Sequence, residues 1–156
     1  MLSYAHNSPW AYISFRLVVD NNNIISVLHF NNVRTSGTFQ RFVPVAFSRS
    51  IRVICINRRH YPGTTPFTEV EKSILTSGEA NEREILVENI GKDLALVIAG
   101  LIRECMIPQA GGITLTGWSQ GTLSLLALVS VINEVDENVK GILVKYVTGI
   151  LMWGKS

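Results

Sequence analysis

The sequence predicts an α/β protein with a mostly parallel, doubly wound sheet and helices on both faces. Short apolar runs alternate with helical patterns along residues 24–153, which is typical of consecutive βαβ units. Residues 51–56 are rich in β-branched side chains, and residues 82–105 repeat apolar positions at intervals of three and four. The 156 residues, 47% of them hydrophobic, can form a single domain, 1–156, with a substantial core.

The individual elements follow from local patterns. Residues 12–19 alternate apolar and polar side chains, which predicts a half-buried and antiparallel strand. The asparagines at 21–23 predict a turn, and Tyr61-Pro62-Gly63 predicts another within the loop 57–68. The other predicted elements are a buried strand at 24–28, a short helix within 38–48, a strand at 113–116, an apolar helix after Ser119 and a last strand at about 146–153.

Charge and composition exclude several classes of function. The net charge is only +2 and the basic residues are scattered, so nothing indicates a nucleic-acid partner. No apolar run approaches the ~20 residues that span a bilayer, and no signal peptide is visible. Cys55 and Cys105 lie in apolar runs, which predicts buried, reduced thiols. We therefore expect a cytoplasmic protein without a membrane span.

One pentapeptide carries the strongest chemical signal. Gly117-Trp118-Ser119-Gln120-Gly121 has the form G-x-S-x-G and stands between the predicted strand 113–116 and a long apolar helix. In that context the motif indicates a nucleophile elbow, a sharp turn that projects the serine hydroxyl above the sheet. Small residues on either side, here Gly117 and Gly121, avoid backbone clashes in such a turn. The alternative is that Ser119 merely caps the helix that follows.

Two longer segments make the pattern more specific. Residues 51–67, with Asn57-Arg58-Arg59-His60-Tyr61-Pro62-Gly63, and residues 112–121 resemble α/β-hydrolase-fold proteins of fungi, and the similarity runs from about 36 to 153. The resemblance implies that Ser119 is the nucleophile and that the Gln120 backbone N–H is one oxyanion donor. It further implies a second donor from the loop 28–37. His29 is the candidate there, although Phe30 stands where such loops usually have glycine.

The chain departs from this family in three ways. His6, His29 and His60 all precede Ser119, whereas the hydrolase triad runs serine, acid, histidine along the chain. The catalytic acid, the histidine and the cap region would lie beyond Ser156, so we expect a truncated fold that lacks its C-terminal part. Residues 1–37 form a divergent N-terminal segment. The family's sheet order would place strand 51–56 at one edge, followed by 24–28, 113–116 and 146–153, the last an unpaired edge.

Three further residues are candidates for substrate binding. His60 and Tyr61 follow a predicted strand, at the carboxyl edge where ligands collect in open α/β sheets. For His60, an exposed loop histidine is the preferred interpretation, whereas packing within the turn explains Tyr61 equally well. Trp118 either lines a pocket beside Ser119 or packs against the sheet. Asp136 and Glu137 come too early for the triad acid and are interpreted as solvated turn residues.

No cofactor is implied by the sequence. No Cys/His cluster has the spacing of a metal site, and no dinucleotide fingerprint opens a helix. Residues 149–156 match G-x-x-x-x-G-K-S, but their bulky apolar centre predicts a strand rather than a phosphate loop. The sequence thus favours a serine hydrolase acting on small carboxylic esters or related acyl compounds. The alternative is a catalytically inactive, hydrolase-like protein that at most binds small ligands.

Overall fold

The strands and helices alternate along the chain much as the sequence predicts. A computed structural model describes residues 3–5, 12–17, 25–31, 42–49, 51–57, 59–60 and 64–154. The strands are β1 (Ser3–Ala5), β2 (Tyr12–Leu17), β3 (Ile25–Asn31), β4 (Ile51–Asn57), β5 (Ile113–Trp118) and β6 (Val147–Trp153). The helices are α1 (Phe42–Ser48), α2 (Glu69–Ser77), α3 (Ala80–Glu104), α4 (Gly121–Val131) and α5 (Glu137–Tyr146).

The six strands form one sheet in the order β1-β2-β4-β3-β5-β6. The four strands from β4 to β6 are parallel, whereas β2 pairs antiparallel with β4 and β1 pairs antiparallel with β2. The antiparallel strand at 12–17 and the edge position of β6 were both expected. The prediction that strand 51–56 forms the other edge is wrong, because β2 pairs with β4 from Phe15–Ile56 to Leu17–Ile54.

Helices cover both faces of the sheet, as predicted. Ile54 and Ile56 of β4 join the main core together with Leu115 of β5 and buried residues of α3, α4 and α5. Val53 and Cys55 point to the opposite face, where they pack with Ala46 of α1. Alternate residues of one strand therefore supply the two layers of an α/β sandwich.

The close packing of α3 against α4 depends on a glycine. A Cβ at Gly91 of α3 would lie 2.4 Å from the Ala127 carbonyl oxygen and 2.9 Å from Val131 Cγ2. Only a residue without a side chain allows the two helix backbones to approach this closely. This contact fixes α4, and with it the turn at its N-terminus, against the longest helix of the protein.

Two helices that the sequence did not predict begin at clear capping signals. Thr68 and Glu71 form a reciprocal capping box at the start of α2. Asp136 is the N-cap of α5, where its carboxylate accepts from the Asn138 and Val139 N–H groups. Asp136 and the exposed Glu137 thus begin a helix rather than lie in a simple turn.

The two cysteines are free thiols. Cys55 is buried on β4, and burial raises its pKa to about 11. Cys105 follows α3 and is only half-buried, so the expectation of burial holds fully for Cys55 alone. No helix in the described part of the chain combines enough length with enough apolar character to cross a bilayer.

Candidate active site

The pentapeptide forms a sharp turn between β5 and α4. Ser119 has φ of 55°, in the left-handed region that a residue with a Cβ adopts only at a cost of about 1–2 kcal/mol. Gly117 and Trp118 are the last residues of β5, and Gln120 is the N-cap of α4. The N-cap is Gln120, and among the described residues no side-chain hydrogen bond caps the helix, so Ser119 does not act as the helix cap that we considered as an alternative.

The first glycine of the motif is required by packing. A Cβ at Gly117 would lie 2.9 Å from the Gly121 carbonyl oxygen and 3.0 Å from Leu125 Cδ1. Contacts below about 3 Å force a shift of backbone or side chain, so the strand can approach the first turn of α4 only with glycine here. Gly121, the second motif glycine, is itself buried.

The backbone of the turn is held from two sides. The Ser119 N–H donates to the Trp153 carbonyl oxygen at the end of β6, at 2.9 Å. The Ser119 carbonyl oxygen accepts from the Thr122 N–H at 3.0 Å and also from the Thr122 hydroxyl. These bonds link the edge strand, the turn and the first turn of α4, and so fix the unusual φ of Ser119.

The arrangement suits stabilisation of a negative charge beside the serine. Ser119 and Gln120 are both exposed, and Gln120 stands where the first N–H groups of a helix point away from the helix body. The helix dipole adds a partial positive charge at the same place. Among the described residues, no side chain forms a hydrogen bond with Ser119 Oγ.

His60 lies at the predicted edge of the sheet but is engaged with its own loop. Its ring stacks on that of Phe67 with the centroids 5.5 Å apart, and its Nδ1 accepts from the Phe67 backbone N–H at 3.4 Å. Its own backbone N–H donates to the Thr65 carbonyl oxygen. Its strand, β4, is separated from β5 by β3. The ends of β4 and β5 are therefore about 10 Å apart, given the usual strand spacing.

His29 occupies a different position from the one predicted. β3 continues to Asn31, so His29 and Phe30 belong to the strand and not to the loop after it. His29 pairs in register with Cys55 of β4 on one side and Thr116 of β5 on the other. The predicted end of the strand at residue 28 is therefore wrong by three residues. A second oxyanion donor from the loop 32–37 falls outside the described residues, as do His6, Tyr61 and the turn at 21–23.

Trp118 packs on the α1 side of the sheet. It is half-buried against the cluster of Ala46, Val53 and Cys55. This contact explains the residue by packing, and its role in lining a pocket stays a prediction.

Sequence reasoning missed an ionic cluster beside His60. Arg59 forms a two-pronged ion pair with Glu71, at 2.7 and 2.9 Å, and donates to the Pro66 carbonyl oxygen. Its guanidinium also lies 4.9 Å from the centre of the Phe67 ring. These contacts tie the loop after β4 to α2. The signal that could have found them is Thr68-Glu69-Val70-Glu71, a sequence typical of a capping box.

The carboxylates around Arg59 differ in their pKa values. Hydrogen bonds from the Arg59 side chain hold the pKa of Glu71 below its usual range, against a smaller opposing effect of burial. Burial raises the pKa of Asp93, whose Oδ2 lies 3.9 Å from Arg59, although the guanidinium acts in the opposite direction. Arg59 is therefore paired chiefly with Glu71.

The remaining candidate motifs do not form a site. Residues 149–153 of the G-x-x-x-x-G-K-S string lie within β6, as predicted, and the last two residues fall outside the described range. Within the described residues, no group of three histidine, cysteine or acidic side chains is placed to hold a metal ion.

An apolar groove of about 160 Å³ lies at the other end of α4. It is lined by Val129 and Ile132 of α4, Val144 of α5, Ile150 of β6 and Leu115 of β5, among other apolar residues. Val129 is roughly 12 Å further along the helix axis than Gly121. The groove is therefore separate from the turn that carries Ser119.

Comparisons of the chain with protein-family models, curated proteins and solved structures found no match. The function is consequently inferred from the geometry of the turn and from the motif resemblance.

Proposed function

We propose that this chain is a serine hydrolase with an α/β-hydrolase-type fold, acting on carboxylic esters or related acyl substrates, with Ser119 as the nucleophile. The observation that carries the proposal is the φ of 55° at Ser119, between a parallel strand and a helix. A serine in this strained conformation is retained only where the surrounding structure enforces it, and such residues cluster at functional sites. Asparagine or glycine would occupy the same turn at lower cost.

The sheet supports the same proposal. The order β4-β3-β5-β6, all parallel, is the order that the resemblance implies for these segments. The serine then follows the carboxyl end of β5, an interior strand, at the end of the sheet where open α/β folds bind their ligands. The antiparallel β2 and β1 extend the sheet beyond β4 and leave this position unchanged.

The proposed chemistry begins with attack of Ser119 Oγ on the carbonyl carbon of the acyl substrate. The carbonyl oxygen becomes an oxyanion, which the Gln120 N–H and the positive end of the α4 dipole stabilise. The hydroxyl proton passes to a base and then to the leaving alcohol, and water later releases the acyl group. His29 and His60 are the candidates for the base, since His29 lies in β3, beside β5, and His60 follows β4, the next strand on that side.

A fluorophosphonate probe tests whether the serine is activated. Such probes phosphonylate a serine only when its hydroxyl is an effective nucleophile. We expect the purified, folded chain to be labelled, Ser119→Ala to lose the labelling, and Ser130→Ala to retain it. Ser130 is an exposed serine in the same helix, with its hydroxyl bonded to the Ala127 carbonyl oxygen. Absence of labelling in a cooperatively folded wild-type chain would overturn the proposal.

A second candidate function is ligand binding without turnover. It is favoured by Ser119 Oγ, which has no hydrogen-bonding side chain among the described residues, and by the groove of about 160 Å³, which is lined by apolar side chains. The two functions differ in their response to p-nitrophenyl butyrate. The hydrolase releases nitrophenol at a rate that Ser119→Ala abolishes. The binding protein takes up the ester without releasing nitrophenol faster than buffer does.

A further inference from the structure

Among the described strands, β6 lies at one edge of the sheet, and its surface is unusually apolar. Its exposed side chains include Ile150, Leu151, Met152 and Trp153, which retain between 37% and 49% of their surface. Because side chains alternate along a strand, Ile150 and Met152 lie on the α4 face and Leu151 and Trp153 on the α1 face. The edge thus presents apolar groups on both sides of its backbone.

The apolar surface continues onto the neighbouring helices. Leu123, Leu126 and Val129 of α4 are exposed at intervals of three residues, which places them on one stripe of the helix. Val129 also lines the apolar groove, together with Ile150 of β6 and Val144 of α5, which is 72% exposed. The stripe, the groove and the strand therefore form one continuous patch, which we call the edge surface.

The size of the edge surface matches that of a protein–protein interface. Its eight large apolar residues together expose on the order of 800 Å², the area that each partner contributes to an interface of standard size. Apolar patches of this extent are rare on monomeric proteins unless they bind a partner.

The chemistry of β6 favours pairing with a copy of itself. The strand has seven residues without a charge or a proline, the two devices that usually block edge-to-edge pairing. Two copies related by a twofold axis would meet as antiparallel strands, with no like charges opposed.

We propose that the edge surface binds a second copy of this chain, through antiparallel pairing of β6 with β6 of the partner. The pairing joins the two sheets into one continuous sheet and buries the α4 stripe and the groove. It also steadies the Trp153 carbonyl that holds the Ser119 N–H, so the interface reaches the turn at Ser119. The proposal does not depend on whether Ser119 is active.

Light scattering and sedimentation over a wide concentration range test this proposal. We expect a closed dimer of twice the 17.3 kDa chain mass. Leu151→Lys places a charge on the edge and should weaken the dimer at least ~10-fold. The matched control is Ile85→Lys, an equally exposed apolar residue near the start of α3 and outside the edge surface. Circular dichroism establishes that both variants keep the wild-type fold.

Hydrogen exchange provides a test that needs no variant. In the dimer, the outward N–H groups of residues 147–153 are bonded to the partner, so their exchange should slow by at least ~10-fold as the protein concentration rises through the dissociation constant. A wild-type chain that stays monomeric with fast exchange in β6 overturns the proposal and indicates a different partner. Open-ended assembly without a closed dimer, or a dimer unaffected by Leu151→Lys, also overturns it.

Discussion

At the scale of single residues, Ser119 combines a hydroxyl group, the proposed nucleophile, with a strained backbone conformation. Its φ of 55° penalises any side chain with a Cβ, whereas glycine adopts this conformation freely. We predict that Ser119→Gly is more stable than Ser119→Ala by about 1 kcal/mol, since both variants lack the hydroxyl and only glycine relieves the strain. The free energies of unfolding from urea titrations check this.

The same pair of substitutions at Ser130 is the control. Ser130 lies in the last turn of α4 in helical conformation, where a glycine costs up to about 1 kcal/mol relative to alanine. Ser130→Gly should therefore be less stable than Ser130→Ala, the opposite order to that at position 119. If both positions favour alanine, Ser119 is not strained and the main support for the nucleophile is lost.

The carboxylate of Glu71 should make stability depend on pH. Its pKa is lowered in the folded state by the Arg59 hydrogen bonds, so its stabilisation is present above the unfolded pKa and is lost as the pH falls through the folded pKa. We predict that Glu71→Gln lowers the free energy of unfolding by about 1–2 kcal/mol at pH 7, through the ion pair and the capping box.

Thermal unfolding between neutral and acid pH measures this effect. The difference between wild type and Glu71→Gln should shrink as the pH falls below the unfolded pKa and vanish once the pH is below the folded pKa, where the wild-type carboxyl is neutral as well. Glu84→Gln, at an exposed position of α3, is the control and should leave stability within ~0.5 kcal/mol of wild type. A difference for Glu71→Gln that stays constant with pH would contradict the ionic explanation.

At the scale of elements, the crossing of α3 and α4 makes a sharp prediction. Gly91→Ala places a methyl group 2.4 Å from the Ala127 carbonyl oxygen, so the helices must separate and the free energy of unfolding should fall by about 2–4 kcal/mol. Gly100→Ala lies in the same helix with nothing within 4 Å and should raise stability by up to ~1 kcal/mol. Urea unfolding of both variants checks this, and equal effects would mean that the helices do not cross at Gly91.

The sequence predicted those elements whose pattern is both long and local. The apolar stripe predicted a helix at 82–105, and α3 spans 80–104, so both predicted ends are within two residues. The β-branched run predicted a strand at 51–56, and β4 spans 51–57. The strand β3 was predicted too short, because the polar His29 interrupts the apolar run, whereas pairing with β4 and β5 keeps the chain extended beyond it. The α2 and α5 helices were missed because they have only nine and ten residues, too few for an apolar stripe to repeat as it does along α3.

The candidate active site was likewise predicted where the pattern is local and missed where the contacts join distant residues. The G-x-S-x-G motif located the turn and the need for Gly117, since both follow from local backbone geometry. The hydrogen bond from the Ser119 N–H to the Trp153 carbonyl oxygen joins residues that are distant in sequence. The stacking of His60 on Phe67 depends on the conformation of the loop between them. Such contacts depend on how strands and loops meet in space, and no spacing of residues along the chain encodes them.

At the scale of the whole molecule, the buried thiol of Cys55 reports on cooperative unfolding. The main core lies on the α3 side of the sheet, and Cys55 faces the smaller cluster under α1. If the two faces unfold together, the thiol becomes accessible only when the entire sheet opens. If α1 detaches separately, it becomes accessible much sooner. Reaction of Cys55 therefore distinguishes one cooperative unit from two.

We predict that Cys55 reacts with Ellman's reagent only through global unfolding. With a pKa of about 11, the folded thiol is roughly one part in a thousand thiolate at pH 8, and it is also shielded from the reagent.

In Cys105→Ser, the labelling rate should rise with urea with the slope of the global unfolding transition. In Cys55→Ala, the half-buried Cys105 should react faster and depend less on urea. Rapid, urea-independent labelling of Cys55 would instead show that α1 opens alone. Should the chain dimerise through β6, raising its concentration must slow the labelling of Cys55, because association stabilises the folded state by mass action.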